Sequence, residues 1–183
     1  MPLSNNAKSR KIPTAGWLHK LKGDAAALPP KHPLRDIAVA GLGAFILIAV
    51  LAGLTESLGT TLVLGSFGAS CVLVFGFPDA PFSQPRNVVA GHFLSSLVGL
   101  LVLTYCGPTW WGMALAVSLA VVLMMATRTV HPPAGSNPVI VFLSMPSWDF
   151  LLLPTLTGAL LVVVVALIYN NLSRQANYPK YWC

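Results

Sequence analysis

Long uncharged runs separated by isolated charged residues dominate the chain after position 36. Residues 37–55, 57–78, 87–127, 129–148 and 150–173 contain no Asp, Glu, Lys or Arg. A helix needs about 20 apolar residues to cross a bilayer. Four of the runs hold one such length, and 87–127 holds two, divided at Cys106-Gly107-Pro108. The pattern therefore predicts an all-α, polytopic membrane bundle of six apolar segments.

The six differ in quality. Segments 1, 3, 4 and 6, over 37–54, 88–106, 111–126 and 150–169, read as ordinary spans. Segment 2 carries Gly65-Ser66-Phe67-Gly68-Ala69-Ser70, and segment 5 opens with His131-Pro132-Pro133-Ala134-Gly135-Ser136-Asn137-Pro138. Their apolar helical parts, about 70–77 and 138–145, are too short to cross alone. Both read as broken or re-entrant helices. Irregular backbone at membrane depth is tolerated only where protein buries it or water reaches it, so two such elements point to a polar pathway.

An offset of about 67 residues lays segment 2 on segment 5, with Gly68 on Gly135, Val72 on Val139, Val74 on Val141 and Phe75 on Phe142; it also lays Gly91 on Gly158. Each half reads full span, broken segment, full span, with halves at about 36–103 and 104–170. Three crossings per half make the repeats inverted, which is the favoured reading; two per half make them parallel. A bundle with two glycine-rich packing sites accounts for the small residues. It does not account for the Pro, His, Asn and Ser gathered with them.

Composition agrees with the pattern. The chain is 55% hydrophobic and 9% charged, and its mean hydropathy is +0.73. Soluble domains carry about 25% charged residues, so this chain lacks the polar surface that water demands. The net charge is +6, and Lys8, Arg10, Lys11, Lys20, Lys22, Lys31 and Arg35 all precede position 36. A basic tail beside an apolar span marks the cytoplasmic side rather than a nucleic-acid partner. With either four or six crossings both termini fall on that side, which in a prokaryote means the inner (plasma) membrane. The polar start does not read as a cleavable signal peptide. Residues 1–33 read as a partly flexible basic leader, in which 15–28 can form a helix lying on the bilayer surface. Residues 34–173 form the membrane domain and 174–183 a cytoplasmic tail. Cys71, Cys106 and Cys183 show neither a CxxC pair nor zinc spacing, so no disulfide, metal or other cofactor is expected.

The broken segments carry the candidate chemistry. A proline at the first helical turn loses no useful donor, and Ser136 or Asn137 can cap the helix that follows. The free N–H groups and positive dipole end of such a start favour an anion. Segment 2 supplies a matching start at Gly68-Ala69-Ser70. The predicted binding residues are Gly68, Ala69, Ser70, His131, Gly135, Ser136 and Asn137, with the two glycines admitting close backbone approach. Arg86, Asn87, His92 and Arg128 are pathway or gating candidates. Ionisable side chains within spans are functional candidates by default, while Arg86 and Arg128 read equally well as interfacial anchors and His92 as an interhelical hydrogen-bonding group. Glu56 and Asp79 read as solvated boundary residues, and Trp110, Trp111, Trp148, Tyr169 and Trp182 as interfacial aromatics.

The run from His131 to Pro138 resembles the signature of the HPP family of integral membrane proteins. Phe67-Gly68-Ala69-Ser70, Gln84-Pro85-Arg86-Asn87 and Gly91-His92 are similar too, and the resemblance spans about 34–182. It implies a fold usually described as having four spanning helices, and transport of nitrite, a small planar anion, as in plant and cyanobacterial members. The expected function is passage of a small inorganic anion, nitrite first, across the bilayer, with a possible homo-oligomer enclosing the path. A channel for a small neutral solute and a non-transporting scaffold are the alternatives. No nucleophile–base pair or cofactor motif supports an enzyme.

Overall fold

The computed structural model describes residues 21–23 and 26–182. The chain falls into two units, Met1–His32 and Pro33–Cys183. In the first, the described residues form a turn at Leu21–Lys22 and no helix between Ala26 and His32. The surface helix expected over 15–28 lies largely outside the described residues.

The second unit contains six α-helices. They are α1 (Leu34–Leu58), α2 (Gly65–Cys71), α3 (Pro85–Cys106), α4 (Trp110–Ala126), α5 (Asn137–Ser144) and α6 (Thr157–Ser173). A π turn, Val72–Gly76, continues α2, and a 3-10 turn, Pro132–Ser136, leads into α5. A 3-10 turn at Trp148–Leu151 and a π turn at Leu152–Leu156 lead into α6. Among the described residues three helices are long and apolar enough to cross a membrane: α1, α3 and the composite Trp148–Ser173. The helix Gly65–Gly76 and α5 are each too short to cover the ~30 Å hydrocarbon core at ~1.5 Å per residue.

Local chemistry sets the boundaries. Gly59 and Gly107 end α1 and α3 at φ 62° and 68°, where an L side chain is strained. Pro85 occupies the first turn of α3, where its missing N–H costs nothing. Thr109 caps α4 by accepting from the Gly112 N–H at 3.1 Å.

Two sequence expectations fail here. The helix of segment 2 starts at Gly65, so Gly68, Ala69 and Ser70 lie inside it and do not form its start. The break is made upstream by the non-helical stretch 60–64, which buries Leu62 and Leu64 and anchors Leu62 N–H to Thr55 Oγ1 at 2.9 Å. Helical glycine costs only about 1 kcal/mol, too little to break a helix that packs well. Ser136 and Asn137 do not cap α5. Ser136 donates instead to Pro133 O at 2.8 Å, and the Asn137 amide turns toward α3.

Side-chain contacts fix the directions of the helices. Ser70 touches His92, while Ser83, after α2, lies next to the start of α3; α2 therefore runs against α3. Asn137 touches His92 and Ser96, and Val141 packs where Gly99 leaves room, so α5 runs with α3. The two short helices thus run in opposite directions. One end of the bundle gathers the start of α1, the 77–84 loop, the end of α4 and the C-terminal residues. There Tyr169 donates to Val39 O, Arg86 to Thr127 O, Arg174 to Phe75 O and Tyr178 to Ser83 O, and Lys180 pairs with Asp79 at 3.0 Å.

Four glycines sit where a Cβ would collide across the bundle. Gly43 faces Phe75 and Tyr169, Gly91 faces His131 and Thr129 O, Gly99 faces Pro138, and Gly158 faces Phe67 and Leu62 O. Around them Leu47, Leu51, Phe67, Val74, Phe75, Val141 and Val162 are buried. This close packing holds the short helices in place.

Candidate functional site

A helix in an apolar environment hides its polar side chains by turning them onto one another. On α3, His92, Ser95 and Ser96 lie three and four positions apart and so share a face. All three are fully buried, as are Ser70 of α2, His131, Asn137 of α5 and Thr155 of the π turn before α6. Five parts of the chain therefore contribute to one buried polar cluster.

His131 Nδ1 lies 2.7 Å from Phe82 O. A carbonyl only accepts, so this nitrogen carries the proton and the neutral ring offers Nε2 as an acceptor. Ser70 Oγ lies 2.8 Å from that Nε2 and 3.1 Å from His92 Nε2. On the other side of His92, the Asn137 amide nitrogen is 3.1 Å from Nδ1, 3.3 Å from His92 O and 2.8 Å from Ser96 Oγ. The amide donates to Nδ1, so His92 is protonated at Nε2. The result is a directed chain in which Asn137 donates to His92, His92 to Ser70, Ser70 to His131 and His131 to Phe82 O. Ser96 extends it to Thr155 Oγ1 at 3.1 Å, and Ser95 donates to Ala134 O at 2.6 Å. The imidazole rings stand 5.0 Å apart, and Phe67 packs its edge on His92 at the same separation.

All four ring nitrogens are engaged, which leaves neither histidine a free lone pair for a metal. Among the described residues no three His, Cys, Asp or Glu side chains come together.

Beside the cluster a cleft of about 490 Å³ separates the first turn of α2 from the 3-10 turn, lined by Gly65, Ser66, Ala69, Pro132, Pro133 and Ser136 together with Val72 and Leu73. No charged side chain lines it. Ser66 is 2% exposed, and its hydroxyl has no partner in the protein. The first-turn N–H groups of α2 receive no side-chain cap.

The structure distributes the sequence candidates over several places. Ala69 and Ser136 line the cleft. Ser70, His131, Asn137 and His92 form the cluster. Gly68 instead faces a groove beside Ala40, Gly41 and Ala44 of α1, and Gly135 has open space around it. Arg86 donates to Thr127 O and Asn87 to Val130 O, so both tie α3 to the loop before His131. Arg128 is exposed at φ 57°, ending α4, and joins neither cleft nor cluster. Sequence reasoning missed Ser66, Ser95, Ser96 and Thr155. The signal for two of them was available, since Ser95-Ser96 sits in mid-span at helical spacing from His92.

The family model described as "HPP, transmembrane region" matches residues 29–179. Two transmembrane proteins of Dictyostelium discoideum are each 39% identical to the chain, over 166 and 178 residues. The matches cover 84% and 91% of this chain but 58% and 57% of those proteins, so the chain spans under two thirds of the relatives' length. No solved structure matches it.

Proposed function

The chain belongs to the family of HPP transmembrane regions, and on that premise we propose that it passes a small inorganic anion, nitrite first, across the bilayer through the cleft between α2 and the Pro132–Ser136 turn. The observation that carries this reading is Ser66, which lines the cleft and whose buried Oγ has no partner in the protein. A buried hydroxyl without a partner is costly, and a ligand or water in the cleft would satisfy it. The uncapped first turn of α2 adds backbone N–H groups and a positive dipole end at the same place. The cleft lining itself holds an anion by dipoles, with no fixed charge among its side chains.

An inverted repeat fits the same picture. Gly91 and Gly158 correspond under the offset of about 67 residues, as do Thr129 and Leu62. A Cβ at either glycine would stand 3.1 Å from the corresponding carbonyl of the opposite half. The antiparallel short helices are what three crossings per half would produce. The charge bias assigns the shared end, with both termini, to the cytoplasm.

One feature favours a second reading, a channel for a small neutral solute: the cleft lining is uncharged. Flux into proteoliposomes of the full chain decides between them. Nitrite, and nitrate or formate more weakly, should enter faster than into protein-free vesicles, while urea should not. Urea flux without nitrite flux supports the neutral channel, and background rates for all four solutes overturn transport through the cleft.

A further inference from the structure

We propose that Ser70, His92 and His131 form a proton-binding site and that the protein carries one proton with each anion. This inference rests on the anion reading above and adds the co-substrate.

The geometry gives the shared hydroxyl two arrangements. In the neutral cluster Ser70 donates to His131 Nε2 at 2.8 Å and accepts from His92. Ser70 Oγ also lies 3.1 Å from Ser66 O. When hydronium gives its proton to the lone pair of His131 Nε2, its O–H bond breaks to leave water, a new N–H bond forms and the ring becomes an imidazolium. That N–H then donates to Ser70 Oγ, and the Ser70 hydroxyl turns to Ser66 O. The Ser70 oxygen accepts from both rings with its two lone pairs, and every imidazole nitrogen keeps a partner. Loss of the proton to water on the other side restores the first arrangement. No electron moves and no other bond breaks.

Charge balance links the proton to the anion. The described carboxylates, Asp36, Glu56, Asp79 and Asp149, are all exposed, and none reaches the cluster. The other ionisable groups nearby point elsewhere. Cys71 follows Ser70 but lines the groove beside Ala40 and Gly41. Arg86 reaches Thr127 O and Tyr181 reaches Asn87, while α5 and the Phe82 loop offer only Asn137 and a backbone carbonyl. A buried imidazolium here lacks a protein counter-charge and needs one. The cleft supplies the place, because its lining residues Ala69 and Pro132 are the immediate chain neighbours of Ser70 and His131. An anion there stabilises the protonated cluster, and the protonated cluster holds the anion to the same degree. Binding of one thus favours the other, as symport requires.

The test uses the full chain in liposomes containing a trapped pH dye, with the membrane potential clamped at zero by potassium and valinomycin. Nitrite is added outside, and lumenal nitrite and pH are followed together, with protein-free vesicles correcting for nitrous acid leakage. The wild type should acidify the lumen by one proton per nitrite, and an alkaline lumen should draw nitrite above its external concentration. His131→Gln and His92→Gln should lower the proton-to-nitrite ratio several-fold. Ser70→Ala, a smaller change should either histidine variant fail to fold, should lower it too, and Ser70→Thr should restore it. Nitrite entry without acidification overturns the proton site and leaves the anion reading standing. Acidification without nitrite entry overturns the anion reading and the coupling with it, and movement of neither overturns both. An unchanged ratio in all folded variants overturns the assignment to this cluster.

Discussion

The two short helices begin from matching sequence and end in different roles. Ser70 and Asn137 correspond under the offset of about 67 residues, and they bind the two nitrogens of one ring, His92 Nε2 and Nδ1. Val74 and Val141 are both fully buried. Away from His92 the likeness stops. Ser66, at the head of α2, has an unpartnered hydroxyl, whereas Ser136, at the head of α5, bonds to Pro133 O. The first segment lines the cleft with a serine whose hydroxyl has no partner; the second bonds its serine hydroxyl and its Asn137 amide nitrogen within the protein, leaving only Asn137 Oδ1 without a partner. Neither helix has a side-chain cap, but two prolines and a 3-10 turn lead into the second, whereas the first starts directly from the extended Leu64. The difference teaches that similar short helices can share one anchor while only one of them presents free donors.

Breaking the shared anchor should have the largest effect. His92→Leu leaves Ser70 and Asn137 without their common partner inside an apolar bundle. Ser70 keeps His131 and Asn137 keeps Ser96, so each loses one buried hydrogen bond of about 0.5–1.5 kcal/mol, and a total loss of roughly 1–3 kcal/mol is expected. Thermal unfolding in detergent should show a clear fall in Tm, with His92→Gln falling less because an amide can still reach one neighbour. If His92→Leu unfolds at the wild-type temperature, the anchor is not what holds the two segments.

The glycines divide the comparison more finely. Gly91→Ala and Gly158→Ala place a Cβ against a carbonyl at 3.1 Å and against His131 or Phe67. Each should destabilise by about 1–3 kcal/mol, as overpacking does. Gly68→Ala and Gly135→Ala meet open space and should change stability by less than about 1 kcal/mol, with Gly68→Ala tending to stabilise its helix. Urea or thermal titration of the four variants checks this order. Equal losses at all four would show that the short helices pack on surfaces other than those described.

Much of this was readable from the sequence, and the reasons are specific. Charge spacing located the six apolar segments because a charge inside a span is costly, and Cys106-Gly107-Pro108 marked a real helix end. His131, Asn137, Ser70 and His92 stood out as polar groups in apolar runs, and they meet. What failed was the choice of helix start. Gly68-Ala69-Ser70 has breaker composition, but a helical glycine costs only about 1 kcal/mol and Ser70 is held by its own hydrogen bonds. Ser66 was passed over because a lone serine carries no signal until its surroundings show that nothing satisfies it. Arg86 and Arg128 attracted notice as charges near the motif, yet a charge at a helix end can bond to a nearby carbonyl or face solvent without entering a site.

The smallest expected effect is also the sharpest test of the asymmetry between the two helix heads. Ser66→Ala removes a hydroxyl that bonds to nothing in the protein, so it should leave stability within about 0.5 kcal/mol of wild type or raise it slightly. The same change removes a donor from the cleft wall, so nitrite flux should fall several-fold. Ser136→Ala should do the reverse. It deletes the bond to Pro133 O at 2.8 Å, costing about 0.5–1.5 kcal/mol, and takes nothing free from the cleft. Its flux should stay closer to the parent rate once the folded fraction is matched. Unfolding curves and liposome flux on the two variants therefore give a crossed pattern that general damage cannot produce, because damage lowers both readouts together. If Ser66→Ala transports nitrite at the parent rate, the free hydroxyl serves no ligand, and the asymmetry between the helix heads belongs to packing alone.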